Sequence, residues 1–245
     1  MPVAIPNFEY SYRRNGKPVF VPSIIGRRIG NEIKENIESL YRFDPIYFHM
    51  RRGGHVAAIH HHRENLYFAR IDIKNFFYSI SRRRVQSALD RFQIPNARFY
   101  SKWSTVANPY NDPPYALPCG FVQSPILASL VIATSQIGQH LLDLPNSINT
   151  SVYMDDISIS SNDKDELENA YAATLEILKK DGFQCSLEKL RAPAYAIDVF
   201  NCDLTYGVSK VKDTRVVKFF DGNPNEVSEL AFNAYCESVK VGNRE

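Results

Sequence analysis

The chain has 245 residues, 44% hydrophobic and 23% charged, with a net charge of +2. This is the composition of an ordinary globular protein, not of a disordered or low-complexity one. No apolar run approaches the roughly 18–20 residues of a membrane-spanning helix. The start, MPVAIPNFEYSYRRNGK, lacks a charged segment followed by an apolar one, so no secretory signal and no membrane partner are expected and the cytoplasm is the expected location.

Four scattered cysteines (Cys119, Cys185, Cys202, Cys236) form no CxxC pair, which argues against a disulfide framework or a zinc knuckle. The small net charge hides an asymmetry. Residues 1–110 hold 18 Lys+Arg against 8 Asp+Glu, and residues 111–245 hold 11 against 19. That is either an uneven solvated surface or a basic face for a polyanion.

In chain order, Ile29, Ile33, Ile37 and Leu40 fall at helical spacing over 27–42 with charges opposite. Arg51-Arg52-Gly53-Gly54 follows; two guanidiniums on flexible glycines suit a phosphate, and equally a solvated loop. His60-His61-His62 with His55 does not read as a metal site, because adjacent side chains diverge and no carboxylate completes a facial triad. A structural or nucleic-acid-contacting role is expected there.

Residues 66–73 (LYFARIDI) read as a buried strand. Ser81 caps a predicted helix over 82–92 whose first turn carries Arg82, Arg83 and Arg84. Cations there oppose the helix dipole, which favours a polyanion contact. A loop rich in Pro and Asn over 107–118 leads into a predicted apolar helix over 124–142.

In TSVYMDDISIS (150–160) two β-favouring runs, Ser151–Met154 and Ile157–Ser160, flank Asp155-Asp156 as in a tight hairpin. A helix over 163–180 follows, with Asp163 or Asp165 at its start and Lys179-Lys180 at its end. Short strands over 183–220 and a last helix over 224–240 complete the reading. Strands and helices interleave without regular βαβ periodicity, so the expected class is α+β.

Asp72, Asp155 and Asp156 then stand out as carboxylates on rigid strands. In-line displacement at phosphorus is served by two divalent ions about 3.5–4 Å apart, and magnesium takes a few hard oxygen ligands plus substrate phosphates. Taken alone, Asp155-Asp156 is equally well plain turn chemistry, and Asp72 a helix cap.

The surrounding motifs carry a resemblance. Tyr153-Met154-Asp155-Asp156 resembles the YxDD box of reverse transcriptases. The run from Asp72 through Ile73, Phe76 and Phe77 to Ser79-Ile80 resembles the D-I-K-x-F-F-x-S-I box of bacterial members, such as those of retrons and group II introns. Leu117-Pro118-Cys119-Gly120…Ser124-Pro125 resembles L-P-Q-G-x-x-x-S-P, and Gly182-Phe183 followed by Leu187 and Lys189 resembles the G-(L/F)…K box. All four occur in family order over about residues 20–220.

The resemblance implies a right-hand polymerase with a ferredoxin-like palm core. Fingers are implied over 1–65 and 81–115, palm over 66–80 and 116–220, and a C-terminal helix or rudimentary thumb over 221–245. It implies that Asp72 and Asp155, with the Ile73 carbonyl, hold two Mg²⁺ ions (Mn²⁺ being the alternative), and that Asp156 supports them. Phe77 falls where the family sets a bulky side chain against the sugar 2′ position, Phe76 being core. Gly120 would let the backbone approach nucleotide and template, Cys119 would border the nucleotide, and Lys189 would protonate the pyrophosphate leaving group. Arg51, Arg52, His62, Arg82 and Arg83 are the nucleic-acid contacts the reading suggests.

Three departures matter. Cys119 replaces the glutamine of the family box, which bears on nucleotide selection. No V-T-G signature follows; Phe200-Asn201-Cys202-Asp203-Leu204 stands in its place, so a retron assignment does not follow. Only 25 residues come after Phe220, so the thumb is expected to be short or absent. A partner subunit, self-association or a bound RNA would then hold the substrate.

The function implied is an RNA-directed DNA polymerase using dNTPs, an RNA template or non-coding RNA and a DNA product, within bacterial antiphage defence. A defence enzyme making untemplated or unconventionally primed DNA is the alternative. A non-catalytic RNA-binding subunit is a third reading, disfavoured by the intact carboxylates.

Overall fold

The computed structural model describes residues 6–244. In chain order the elements begin with β1 (Phe8–Arg14), β2 (Lys17–Pro22), α1 (Ile24–Leu40), α2 (Gly54–His62), β3 (Tyr67–Asp72) and α3 (Phe76–Ser79). Then come α4 (Arg82–Arg91), α5 (Ala97–Trp103), β4 (Val106–Ala107), β5 (Tyr115–Ala116), α6 (Ser124–Ala133) and α7 (Gln136–Leu142). The rest is β6 (Asn149–Tyr153), β7 (Asp156–Ser161), α8 (Lys164–Lys180), β8 (Arg191–Ala194), β9 (Ala196–Val199), β10 (Cys202–Thr205), β11 (Val208–Val211), α9 (Asp213–Phe220) and α10 (Glu226–Lys240). Residues 1–5, part of the expected fingers segment and of the start read for a signal, lie outside the described residues, as does residue 245.

Two compact units result. The first runs up to Asp44 and resumes over Lys74–Gln139; the second comprises Pro45–Ile73 and the chain from His140 on. These breaks differ from the boundaries expected from sequence. Residues 45–65 carry α2, which lies against β6 in the second unit, and residues 116–139 carry α6, which lies against α4 in the first.

In the first unit, β1 and β2 form a hairpin closed by Asn15-Gly16, both at positive φ (50° and 76°), the turn that matches strand twist. Ser23 caps α1 by accepting from the Gly26 amide at 3.0 Å, and Ile29, Ile33 and Ile37 are buried along one stripe. Leu40, expected on that stripe, is the last helical residue and is 56% exposed. Ser81 caps α4 as predicted, accepting from the Arg84 amide. Phe20, Tyr78, Val106, Ala116 and Phe121 share one core cluster.

The single helix expected over 124–142 is two. Thr134 Oγ1 donates to the Leu130 and Val131 carbonyls and Ser135 Oγ to Ile132, so side chains take the carbonyls that the next turn would use. Among the described residues no single helix is long and apolar enough to cross a membrane.

The second unit is built on a four-stranded antiparallel sheet in the order β6-β7-β3-β8. Taken in sequence, its strands run second, third, first, fourth, the order of a ferredoxin-like βαββαβ core. The α8 helix covers one face, where Ala69, Ile148, Ile159, Leu167 and Ala170 cluster; Asp163 caps it, accepting from the Glu166 amide at 3.0 Å.

A second sheet, β9-β10-β11, meets α10 in another core containing Ile59, Phe68, Val199, Leu204, Val211, Phe232 and Val239. The last helix therefore buries its apolar face on the second unit's own sheet. The α9 helix stands at the end of a segment, 183–220, whose sequence predicts short strands.

Candidate active site

Alternation along β3 puts Phe68, Arg70 and Asp72 on one face, with Ala69 and Ile71 on the other. Asp72 ends the strand directly opposite Asp156 on β7, and Asp156 is also paired with Tyr153 on β6. The hairpin tip is therefore Met154-Asp155, one residue earlier than the Asp155-Asp156 tip predicted. The Ile73 amide donates to the Asp155 carbonyl at 2.8 Å, which extends the β3–β7 pairing beyond Asp72 and draws Asp156 into the ladder. Met154 takes φ 56°, a conformation that disfavours a side chain by roughly 1–2 kcal/mol and is held by the ladder on both sides.

Asp72 is buried at 2% exposure, and both its carboxylate oxygens have partners. Ser186 Oγ donates to Oδ1 at 2.5 Å and Lys189 Nζ to Oδ2 at 2.8 Å. The Ser186 amide also donates to the Asp72 carbonyl at 2.9 Å, so the segment after α8 is pinned to the end of β3 through main chain and side chain together. Burial alone would lower the Lys189 ammonium; the hydrogen bond to Asp72 and the charges of Asp72, Asp155 and Asp156 outweigh it and raise the pKa.

Two carboxylates directly opposite on neighbouring strands repel. Arg70, diagonal to Asp156, offsets this: its Nε and Nη2 lie 2.6 and 2.5 Å from Asp156 Oδ1. Its Nη1 donates to the Asp198 carbonyl on β9 at 3.2 Å. Burial raises the Asp156 carboxyl to about 6; Arg70 opposes the rise, and Asp155 and Asp72 add to it.

The donors gathered here are carboxylate and carbonyl oxygens, the hard set that Mg²⁺ takes, and they fit a divalent ion in kind. In the arrangement described, the Lys189 ammonium neutralises Asp72 and the Arg70 guanidinium neutralises Asp156. Among the described residues no three His, Cys, Asp or Glu side chains are already disposed around a common ion position. Lys189 has 42% of its side chain exposed and can swing into solvent, whereas Arg70 is 12% exposed and cannot leave without unpairing Asp156. Of the four residues expected at metal, Asp156 is committed to Arg70.

The other expected residues are distributed as follows. In the second unit, His62 is buried at 2% exposure, with Nε2 2.7 Å from Ser151 Oγ on β6 and Nδ1 2.8 Å from Ser160 Oγ on β7. Burial pushes its pKa down to about 3. The nucleic-acid contact expected of His62 is thereby corrected: it is a neutral core residue joining two strands. His60 faces the Val239 carbonyl and His55 the Tyr235 hydroxyl, so the histidines diverge as expected. Arg51 is exposed but held to the Pro45 carbonyl at 2.7 Å and over the Phe48 ring; Arg52 is exposed.

In the first unit, Phe76 is buried and Phe77 half-buried beside it, ring centroids 5.4 Å apart. The Cys119 carbonyl accepts from the Phe20 amide at 2.8 Å, and the Cys119 amide donates to Tyr78 Oη at 3.3 Å. Gly120, at φ +105°, has a local reason to be glycine: a Cβ would lie 2.2 Å from the Phe20 carbonyl oxygen. Arg82 donates to Thr105 Oγ1 at 2.7 Å and lies over the Tyr115 ring, while Arg83 is exposed.

Arg70, Ser186 and Asp198 were not singled out from sequence. The strand period placed Arg70 on the Asp72 face and was the one available signal; Ser186 and Asp198 had none.

The family model for reverse transcriptase (RNA-dependent DNA polymerase) matches residues 11–215. Among solved structures the chain is similar to telomerase from Candida albicans in complex with a TWJ fragment of telomeric RNA, at 13% identity and TM-score 0.52, covering 77% of this chain and 37% of that one. It is similar to apo telomerase from Candida tropicalis truncated from the C-terminal domain, at 13% identity and TM-score 0.52, covering 73% and 43%. A foamy viral protease-reverse transcriptase with double-stranded DNA aligns at 18% identity and TM-score 0.49, covering 84% and 30%. At such identities the telomerase likeness is one of fold. The chain spans less than half the length of each of these structures. No curated protein matches it significantly.

Proposed function

This chain belongs to the reverse transcriptase (RNA-dependent DNA polymerase) family, and from that premise we propose that it is an RNA-directed DNA polymerase joining deoxynucleotides at Asp72 and Asp155. The observation that carries the reading is the meeting of Asp72 with the Met154-Asp155 turn and Lys189 at one end of the β3–β7 pair. A binding subunit would have no need of three acidic residues gathered there, two of them each held by a cation.

In this reading Asp72, Asp155 and the Ile73 carbonyl hold two magnesium ions, which when bound stabilise the attacking and leaving oxygens of the transfer. Arg70 keeps Asp156 on the strand and occupied, so that Asp72 and Asp155 would be the carboxylates to hold the ions. Lys189 carries the proton for the pyrophosphate, and Phe77 rejects a ribose 2′-hydroxyl. The first unit is read as the fingers and the second as the palm.

The Asp72–Ile80 box favours a bacterial enzyme. Antiphage defence, with an RNA and a protein partner in the cytoplasm, is the setting that agrees with it. Synthesis of untemplated or unconventionally primed DNA is the second reading, and Cys119 in place of glutamine bears on nucleotide selection in both.

The experiment is to purify the protein with its co-purifying nucleic acid, supply each labelled dNTP or NTP with Mg²⁺, and sequence the product. Incorporation of dNTPs that Asp72→Asn and Asp155→Asn abolish is expected. Equal incorporation by those variants would sink the enzymatic reading, and product unrelated to the bound RNA would favour untemplated synthesis.

A further inference from the structure

The first unit carries a cleft of about 660 Å³ lined by Phe8, Arg82, Phe99, Lys102, Trp103 and Tyr115. Its size is that of a small-molecule site, roughly 300–1,000 Å³. Phe99 and Tyr115 are 47% and 46% exposed. Single exposed rings are ordinary, but here two of them share one recess with Trp103, whose ring lies 5.9 Å from that of Phe99. The rings come from α5 and β5, elements brought together by the fold and not by a run of sequence.

The cations are placed to match. Arg82 Cζ stands 3.9 Å from the Tyr115 ring centroid, held there by the Nε bond to Thr105 Oγ1. A guanidinium fixed on a ring widens the π surface and leaves its other nitrogens to an anion. Lys102, exposed one residue before Trp103 on α5, adds a mobile charge at the rim. The unit that carries the cleft is basic as a whole, with 14 Lys+Arg against 7 Asp+Glu over 1–44 and 74–139.

Rings open to solvent beside cations, on a basic body, are the combination that takes unpaired bases with their phosphates. A duplex would keep its base faces covered. We propose that this cleft binds the unpaired bases of a single-stranded nucleic acid, stacking them on Phe99 and Tyr115 while Arg82 and Lys102 meet the flanking phosphates. It deepens the polymerase reading by giving the nucleic acid a second hold, and rests on that reading for the identity of the polyanion.

Trp103 is the only tryptophan in the chain, so its emission reports on this cleft alone. Oligo(dT) and oligo(U) titrated into the full chain are expected to quench it to saturation, and added salt to reverse the quench. Phe99→Ala and Tyr115→Ala should each weaken binding roughly tenfold, and Lys102→Gln should lower the slope of log affinity against log salt by about one. Circular dichroism of each variant confirms folding; Phe99 and Lys102 are exposed, so their variants keep the test alive if Tyr115→Ala misfolds.

Trp103 emission unmoved at concentrations where a labelled oligonucleotide binds by anisotropy would overturn the proposal. Equal quenching by a blunt duplex, or unchanged affinity in Phe99→Ala, would do so too. Quenching that persists in a protein incapable of nucleotide incorporation would instead remove the polymerase reading and leave this site standing.

Discussion

Arg70 on β3 grips a single oxygen of Asp156 on β7 with two nitrogens, at 2.6 and 2.5 Å, and with its third nitrogen reaches the Asp198 carbonyl at 3.2 Å. One side chain thus ties the sheet that bears the carboxylates to the sheet that follows it. Arg70→Gln leaves a buried carboxylate facing Asp72 without its counter-charge, and breaking such a pair is expected to destabilise by about 3–5 kcal/mol. Adding Asp156→Asn should recover part of that loss, since no buried charge then remains unpaired. Urea unfolding in EDTA reads both; a loss under about 1 kcal/mol would mean that the pair behaves like an exposed one.

Lys189 occupies one oxygen of Asp72, a carboxylate that would help hold a divalent ion. Lys189→Met is therefore expected to strengthen Mn²⁺ binding, followed by electron paramagnetic resonance, while slowing incorporation roughly a hundredfold through loss of the proton donor. Tighter metal with slower chemistry is the diagnostic combination. Weaker metal binding in the variant would show that Lys189 organises the carboxylates instead of competing for them.

Phe77 is half-buried next to the fully packed Phe76, which leaves it a face to present. Phe77→Ala should raise rNTP incorporation relative to dNTP by about an order of magnitude or more, given the roughly 10–200-fold that one hydrophobic contact discriminates. An unchanged ratio in single-nucleotide addition assays would refute the sugar-gate role.

Gly120 has no room for a side chain. Gly120→Ala sets a methyl against the Phe20 carbonyl at a backbone angle of φ +105°, and the conformation alone costs about 1–3 kcal/mol. A fall in Tm is expected without change in the Arg70 or Lys189 signatures. A variant as stable as the parent would mean that the loop shifts freely.

His62 makes stability acid-sensitive. Its native pKa lies near 3 against 6.5 for the free side chain, because burial disfavours the charged ring. Above pH 6.5 both states hold it neutral and the contribution is fully present. As pH falls, the unfolded chain binds a proton that the native one refuses, so stability drops by about 1.4 kcal/mol per pH unit until the native pKa is reached. His49, pushed to about 4 by burial, adds a similar slope. His62→Gln should flatten the dependence between pH 6.5 and 4 while lowering stability at pH 7; an unaltered slope would rule the assignment out.

What sequence alone settled was local. The β3 strand, the Ser81 cap and the hairpin around Asp155 rest on periods of a few residues and on turn chemistry, and a string of residues carries those directly. The motifs around Asp72, Gly120, Asp155 and Lys189 are local too, so they pointed to the family without any coordinates. The register of the hairpin was missed by one residue because Asp156 is drawn into the ladder by a strand far away in sequence.

What only the tertiary structure decided was how the carboxylates are held. Arg70 and Ser186 lie 86 and 114 residues from the Asp156 and Asp72 carboxylates they hold, and no residue preference near either announces such contacts. The same holds for His62, whose burial between two strand hydroxyls turned an expected surface contact into a core residue. Sequence determined which groups the protein brings to its chemistry; the low dielectric and fixed geometry of the folded sheet decided which of them are charged, paired and free to move.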